Sequence, residues 1–465
     1  MNAAAFPQLP PGFRQRRAIN WLLAGSMYAF FYMARYNFTA INAYLADQFG
    51  WTNTQLGYFD SAATLVYGCS VFLNGPLADR IGGRRAILFG AVGTAFFNLI
   101  FGFGHLFLNH AAVWEGEGKA RHVLTAAELN FGMTGTTLIA MLVTVWTINF
   151  YFQSFGALSI VKINAAWFHV RERGLFSGIF GILIRAGLLL AFYGSPFILS
   201  KLPWQWVFWV PSAAIAVLVV GSYIYVQNTP TDAGLPALDT GDGAQDEEAG
   251  PTGLSFVLKK VFANPTMWTI ALASMMIGFV RRSVVDAWWP KYFVNVHHAD
   301  AKALKSFMPY EIAAWGIALA GIIGGLTFGS MSDRVFGGRR APVVVIGFVG
   351  QAVVLLVFGL LNRSGAAPVT AAFCIVALSF FVNGAHGMVG GAASMDFGGK
   401  KAAATAAGLF DGVQYIAGAI VGVSLGKLLD TRGWGIWPFA PIPFAIAGAL
   451  IMSRLWNVLP GRRAH

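Results

Sequence analysis

Four arginines, Arg35, Arg185, Arg281 and Arg282, interrupt stretches of this chain that are otherwise apolar. A guanidinium at the centre of a bilayer costs roughly 2.5–3.5 kcal/mol on insertion scales, so such a residue normally faces a polar cavity. Its planar fork matches the oxygens of a phosphate or carboxylate in pairs, which the point charge of a lysine cannot do. Two forks from different parts of the chain could hold one phosphate between them. The alternative for each is pairing with a carboxylate or with helix carbonyls. It weighs more for Arg185, and most for Arg282, which lies about 100° around a helix from Arg281.

Tyr28, Tyr32 and Arg35 are spaced by four and three residues, so they share one helix face. Two phenols and a guanidinium in line make a polar stripe; interhelical packing with satisfied hydroxyls is the competing account. Asp60, Asp286, Glu311 and Asp411 are the acids within apolar stretches, where structural ion pairing is favoured over proton carriage. His386, alone in a Gly-rich stretch, reads as a packing residue. No metal-ligand cluster, nucleophile with its base, or phosphate-cradling loop appears. The chain is therefore expected to be no enzyme and to use no metal or cofactor.

These residues need elements to carry them. Of the 465 residues, 56% are hydrophobic and 11% charged, less than half the charge of an ordinary soluble domain. Apolar runs near 18–42, 54–76, 86–108, 131–160, 175–200 and 206–227 are each long enough to cross a bilayer. They resume near 266–294, 309–331, 341–361, 366–395, 402–428 and 436–456. The expected fold is all-α and membrane-embedded, with two bundles of six helices related by a pseudo-two-fold axis. The N-terminal half covers 1–227, a polar cytoplasmic linker 228–265, and the C-terminal half 266–465. The linker holds Asp242, Asp246, Glu247 and Glu248.

The net charge of +12 could suggest nucleic acid, but 18 of the 32 Lys and Arg fall in alternate loops and termini. That is the positive-inside pattern, with both termini cytoplasmic, and it leaves no need for a nucleic-acid partner. Cys69 and Cys374 lie in apolar runs and read as small core residues. The apolar run after Arg17 is too long for a cleavable signal and reads as the first span.

The two halves repeat a motif. GPLADRIGGRR begins at Gly75 and GSMSDRVFGGRR at Gly329, each between the second and third span of its half. Asp79 and Asp333 stand at equivalent places in the two copies. This loop resembles the signature of the major facilitator superfamily. The resemblance implies that Asp79 and Asp333 take part in a latch between halves.

A narrower resemblance covers nearly the whole chain. YMARYNF at Tyr32–Phe38, RRSVVDAWWP at Arg281–Pro290 and KKAAATAAGLF at Lys400–Phe410 are similar to the organophosphate:phosphate antiporters, which include bacterial glycerol-3-phosphate and hexose-phosphate transporters. WFHVRERG after the fourth span and YEIA at Tyr310–Ala313 fit the same group. The resemblance implies that Arg35 and Arg281 bind the phosphoryl group. It also implies that Tyr28, Tyr32, Tyr67 and Tyr415 line the pathway, and that Asp286 and Glu311 form ion pairs that break and reform.

Departures from the pattern are equally specific. Tyr36 and Val71 stand where the glycerol-phosphate member has lysines, Ala166 where it has a histidine, and Asn383 where it has a tyrosine. Arg185 and Arg282 are additions. The phosphate anchor is retained while the rest of the substrate site is rebuilt, which admits a phosphorylated carboxylate.

The expected activity is exchange of an organophosphate for inorganic phosphate by alternating access, in a monomer of the inner membrane. Two rivals are a transporter-like sensor of a phosphorylated metabolite and a proton-coupled organic-anion carrier using Asp60, Asp411 or Glu311.

Overall fold

The computed structural model describes residues 10–104, 112–114, 121–123, 135–168, 182–238 and 263–458. Within them the chain is a multi-span helical membrane protein. Ten helices are long and apolar enough to cross a bilayer, α2 to α11 in the order below.

Helix α1 (Phe13–Phe49) has 37 residues and precedes these ten; buried Asn20, Arg35, Asn37 and Asn42 make it more polar than they are. α2 (Asn53–Ile81), α3 (Gly83–Phe103) and α4 (Thr137–Asn164, interrupted at Ser154) follow. Next come α5 (Ile182–Leu199) and α6 (Trp206–Tyr225). The second set comprises α7 (Pro265–Val285), α8 (Met308–Arg334), α9 (Arg340–Arg363), α10 (Pro368–Gly390) and α11 (Gly408–Arg432). The last apolar helix, α12 (Ile442–Ser453), has 12 residues.

Local chemistry sets these boundaries. Thr52 caps α2 in a capping box with Gln55: the Gln55 N–H donates to Thr52 Oγ1 and the Thr52 N–H to Gln55 Oε1. α1 ends at Gly50, whose φ of 65° is left-handed and suits glycine. Proline occupies the first turn of α7, α8, α10 and α12, where its missing N–H costs no helical bond.

Two features depart from the sequence reading. A short antiparallel ladder pairs Ala112–Trp114 with Arg121–Val123 between α3 and α4, with Val113 opposite His122. The helix that contains α11 begins at Ser394, so Lys400 and Lys401 sit within a helix rather than in a loop. Its alanine run, Ala402–Ala404, is the strongest intrinsic helix former available.

Large apolar side chains cover the outer surface; Leu73, Val217 and Leu326 are each more than 70% exposed. That surface suits hydrocarbon, not water. Cys69 is exposed, not buried as expected, because on a membrane helix the lipid-facing side is as apolar as the core.

Glycine brings α2 and α11 together at the end away from the repeated loops. A Cβ on Gly57 would strike the Gly422 carbonyl, and one on Gly426 would strike the Asn53 carbonyl. Beside them Ser61 Oγ donates to the Ala419 carbonyl at 2.5 Å and accepts from the Val423 N–H at 2.9 Å.

Candidate anion-binding site

α1 supplies the first guanidinium. Arg35 is 2% exposed and its Nε donates to Gln153 Oε1 of α4 at 2.8 Å. Gln153 is itself fixed, its Nε2 reaching Asn149 Oδ1 at 3.1 Å and the Ala34 carbonyl at 3.4 Å. The Arg35 Cζ lies 4.3 Å from the Tyr67 ring centroid and 4.8 Å from that of Tyr32. Both terminal nitrogens are buried without an aligned acceptor among the described residues. A buried unpaired donor costs about 1–3 kcal/mol, more when charged, so an acceptor reaching these nitrogens would be stabilising.

Four tyrosines gather around this group. Tyr28 and Tyr32 meet edge-on at 5.2 Å, and Tyr67 of α2 lies 4.5 Å from Tyr415 of α11. Tyr28, Tyr32, Tyr67, Tyr415 and Arg35 thus come together in one place. Gln153 and Asn149 escaped the sequence reading. Their signal was present: two amides four residues apart in an apolar helix share a face.

α7 supplies the next two arginines from a π-helical turn, Arg281–Val285, of a type that recurs at functional sites. Arg281 Nε lies 2.8 Å from Asp286 Oδ2. The Tyr36 hydroxyl donates to the same oxygen at 3.4 Å, bridging α1 to α7. Arg282 turns elsewhere. Its Nε donates to Asp60 Oδ2 of α2 at 3.0 Å, and a terminal nitrogen contacts Asp60 Oδ1. Arg282, expected among the substrate contacts, is here occupied by an acid from the first half of the chain. Asp60 and Arg282 also line a small closed cavity with Thr39, Asn42 and Trp288.

Arg185 of α5 reaches α10, where a terminal nitrogen donates to Asn383 Oδ1 at 2.8 Å. Asn383 is held by its own amide nitrogen, which donates to the Ser379 carbonyl at 2.9 Å.

The remaining acids divide. Glu311 sits in the first turn of α8 and has no ion-pair partner among the described residues. The sequence reading placed it in a breakable ion pair; here only Asp286 of that pair of acids is so engaged. Asp411 has no ion-pair partner among those residues either, and its Oδ1 faces Gly390. His386 Nδ1 lies 3.1 Å from Gln414 Nε2, which donates to Ser274 Oγ at 2.7 Å.

In the second repeated loop, Asp333 Oδ1 takes a 2.6 Å contact from Arg340, whose same nitrogen donates to Ser332 Oγ at 3.0 Å. Gly337 and Gly338, with φ of 59° and 85°, turn the chain between them. The side chains of Asp79, Lys400 and Lys401, the linker acids and residues 169–174 of WFHVRERG lie outside the described residues.

At the opposite end Asp430 of α11 caps the start of α2. It accepts from the Asn53 N–H (3.0 Å) and Nδ2 (2.7 Å), and from the Thr54 N–H (2.7 Å) and Oγ1 (2.6 Å). No motif in the sequence announced this contact, which joins residues more than 370 positions apart.

Comparison with known proteins adds identity to the geometry. The family profile described as Major Facilitator Superfamily matches residues 24–422. A glycerol-3-phosphate transporter of Bacillus subtilis is 28% identical over 94% of this chain and 91% of its own length. The membrane sensor protein UhpC of Escherichia coli is 26% identical over 92% and 90%. Among solved structures, that of a D-xylose-proton symporter superposes with a TM-score of 0.70 at 16% identity, over 96% of this chain and 98% of that one. At that identity the likeness speaks for the fold.

Proposed function

Because the chain belongs to the Major Facilitator Superfamily, a family of transporters rather than enzymes, we propose that it exchanges an organophosphate for inorganic phosphate across the inner membrane. The observation that carries this reading is Arg35, a buried guanidinium with no acid partner among the described residues, whose two terminal nitrogens lack an aligned acceptor there. In this reading two six-helix halves, 1–227 and 266–465, rock about the site as a monomer, with both termini cytoplasmic. Asp79 and Asp333 latch the halves at the cytoplasmic face.

Phosphate binds between Arg35 and Arg281, with the tyrosines filling the wall. Arg281 reaches it by giving up Asp286, and the Tyr36 hydroxyl keeps hold of the released carboxylate. Arg281 is already neutralised, so mutual repulsion of Arg35 and Arg281 is not what holds the empty carrier open. The cost lies in enclosing the Arg35 guanidinium, which has no acid partner among the described residues, as the site occludes. An anion offsets that cost, and so crossing is coupled to having one bound. The likeness to a glycerol-3-phosphate transporter and to a membrane sensor protein supports a phosphorylated ligand in either role.

The test is phosphate-loaded proteoliposomes containing the purified full chain. Uptake of labelled organophosphate that requires internal phosphate supports exchange. Ligand binding without any flux favours a sensor, and uptake driven by a pH gradient without competition by phosphate favours a proton-coupled carrier.

A further inference from the structure

We propose that Arg185 forms a second anion subsite, so that the organic substrate is a phosphate ester carrying a second acidic group, of carboxylate type. This rests on the phosphate-exchange reading and narrows its substrate class. The four arginines of the apolar stretches divide by their partners. Asp286 takes Arg281 and Asp60 takes Arg282. Arg35 and Arg185 have no acid partner among the described residues: one meets a glutamine, the other an asparagine. An amide oxygen orients a guanidinium but leaves its charge uncompensated. Two such charges call for two anionic groups.

The protein also builds a seat for Arg185. A Cβ on Gly321 of α8 would lie 2.8 Å from the Arg185 Cζ, so the guanidinium lies in a notch that only glycine leaves open. Asn383 fixes one edge of the fork and is itself bonded to the Ser379 carbonyl and Oγ. The other donors make no bond among the described residues, and the side chain is half-buried. An unbonded fork edge of this kind has the geometry that pairs with a carboxylate.

A Cβ on Gly187, two positions after Arg185, would come within 2.7 Å of the Tyr32 Cβ, while Arg35 lies over the Tyr32 ring. α5, which carries Arg185, thus packs on α1 at Tyr32, and one phosphate on Arg35 leaves the Arg185 charge uncompensated.

The test compares inorganic phosphate, glycerol 3-phosphate and 3-phosphoglycerate as competitors of phosphate exchange in proteoliposomes; the last two differ by a carboxylate. The wild type is expected to favour 3-phosphoglycerate. A hydrogen bond to a charged group is worth about 1.5–3 kcal/mol, so Arg185→Gln should weaken 3-phosphoglycerate by about 10-fold or more. The other two should change little. Gly321→Ala, which displaces the guanidinium without removing it, should shift selectivity in the same direction. Equal weakening of all three ligands, or a wild-type preference for glycerol 3-phosphate, overturns the subsite. Should the wild type exchange no phosphate, the exchange reading fails separately. The subsite is then scored by ligand-induced thermal shifts of the detergent-solubilised protein: an Arg185-dependent shift with 3-phosphoglycerate but not glycerol 3-phosphate supports it, and no difference between the two overturns it.

Discussion

Asp60 of α2 and Arg282 of α7 form a two-point ion pair across 222 residues of sequence, with Nε 3.0 Å from Oδ2. Its neighbour Arg281 pairs locally with Asp286 instead. Two adjacent arginines thus make different contacts: one ties two parts of the fold together, and the other pairs with an acid five residues along the chain.

Removing one member of the Asp60–Arg282 pair leaves a buried charge alone, which typically costs about 3–5 kcal/mol, whereas removing both is far cheaper. Asp60→Asn should therefore lower the melting temperature in detergent more than the double variant Asp60→Asn/Arg282→Gln does. Additive losses in the two single variants and the double would show that the pair is not coupled.

Arg35→Lys should leave the protein folded and inserted while reducing phosphate exchange by about 10- to 100-fold. The ammonium keeps the charge but loses the paired bonds of the fork. Arg281→Lys should act in the same direction. Near-normal exchange by either variant, at equal amounts in the membrane, removes that residue from phosphate binding.

Asp430 fixes the far end of α2 through four donors from two residues. Asp430→Asn replaces charge-assisted bonds with neutral ones and turns one oxygen into a donor facing donors. The two halves should then separate more often at that end. Spin labels at Asp47 and Gly435 in a cysteine-free background should show a longer or broader distance distribution, with ligand affinity changed little. An unchanged distribution would falsify a holding role for the Asp430 contact.

Asp333 is well exposed, and surface pairs contribute little to stability, so its contact with Arg340 matters through geometry. Asp333→Asn should change transport rate or conformational bias more than equilibrium binding of phosphate. Asp79→Asn should act alike. A large loss of binding with an unchanged distribution of states would count against the latch role of these loops.

Much of this protein is legible in its sequence because a bilayer imposes strong constraints. Segments long and apolar enough to span are forced into helices by the backbone's need for hydrogen bonds, so their order could be read directly. A charge inside such a segment is costly enough to mark itself, which singled out Arg35, Arg185, Arg281 and Arg282. Helical spacing alone placed Tyr28 and Tyr32 on the face of Arg35. The loops at Asp79 and Asp333 were visible as a repeat.

The partners were not legible, because pairing depends on how helices lie against one another. Nothing in the dipeptide Arg281–Arg282 says which residue takes Asp286 and which takes Asp60; the π-helical turn at Arg281–Val285 aims them apart. Gln153 under Arg35, Gly321 under Arg185 and Asp430 over Asn53 and Thr54 are ordinary residues in sequence. Their significance comes from close helix contacts, set by glycines whose missing side chains let distant segments meet. The sequence determined which charges this membrane protein carries, through the cost of burying them. Tertiary packing decided which of those charges are neutralised and which are not, because neutralisation requires an acid within a few ångströms in space, whatever its distance along the chain.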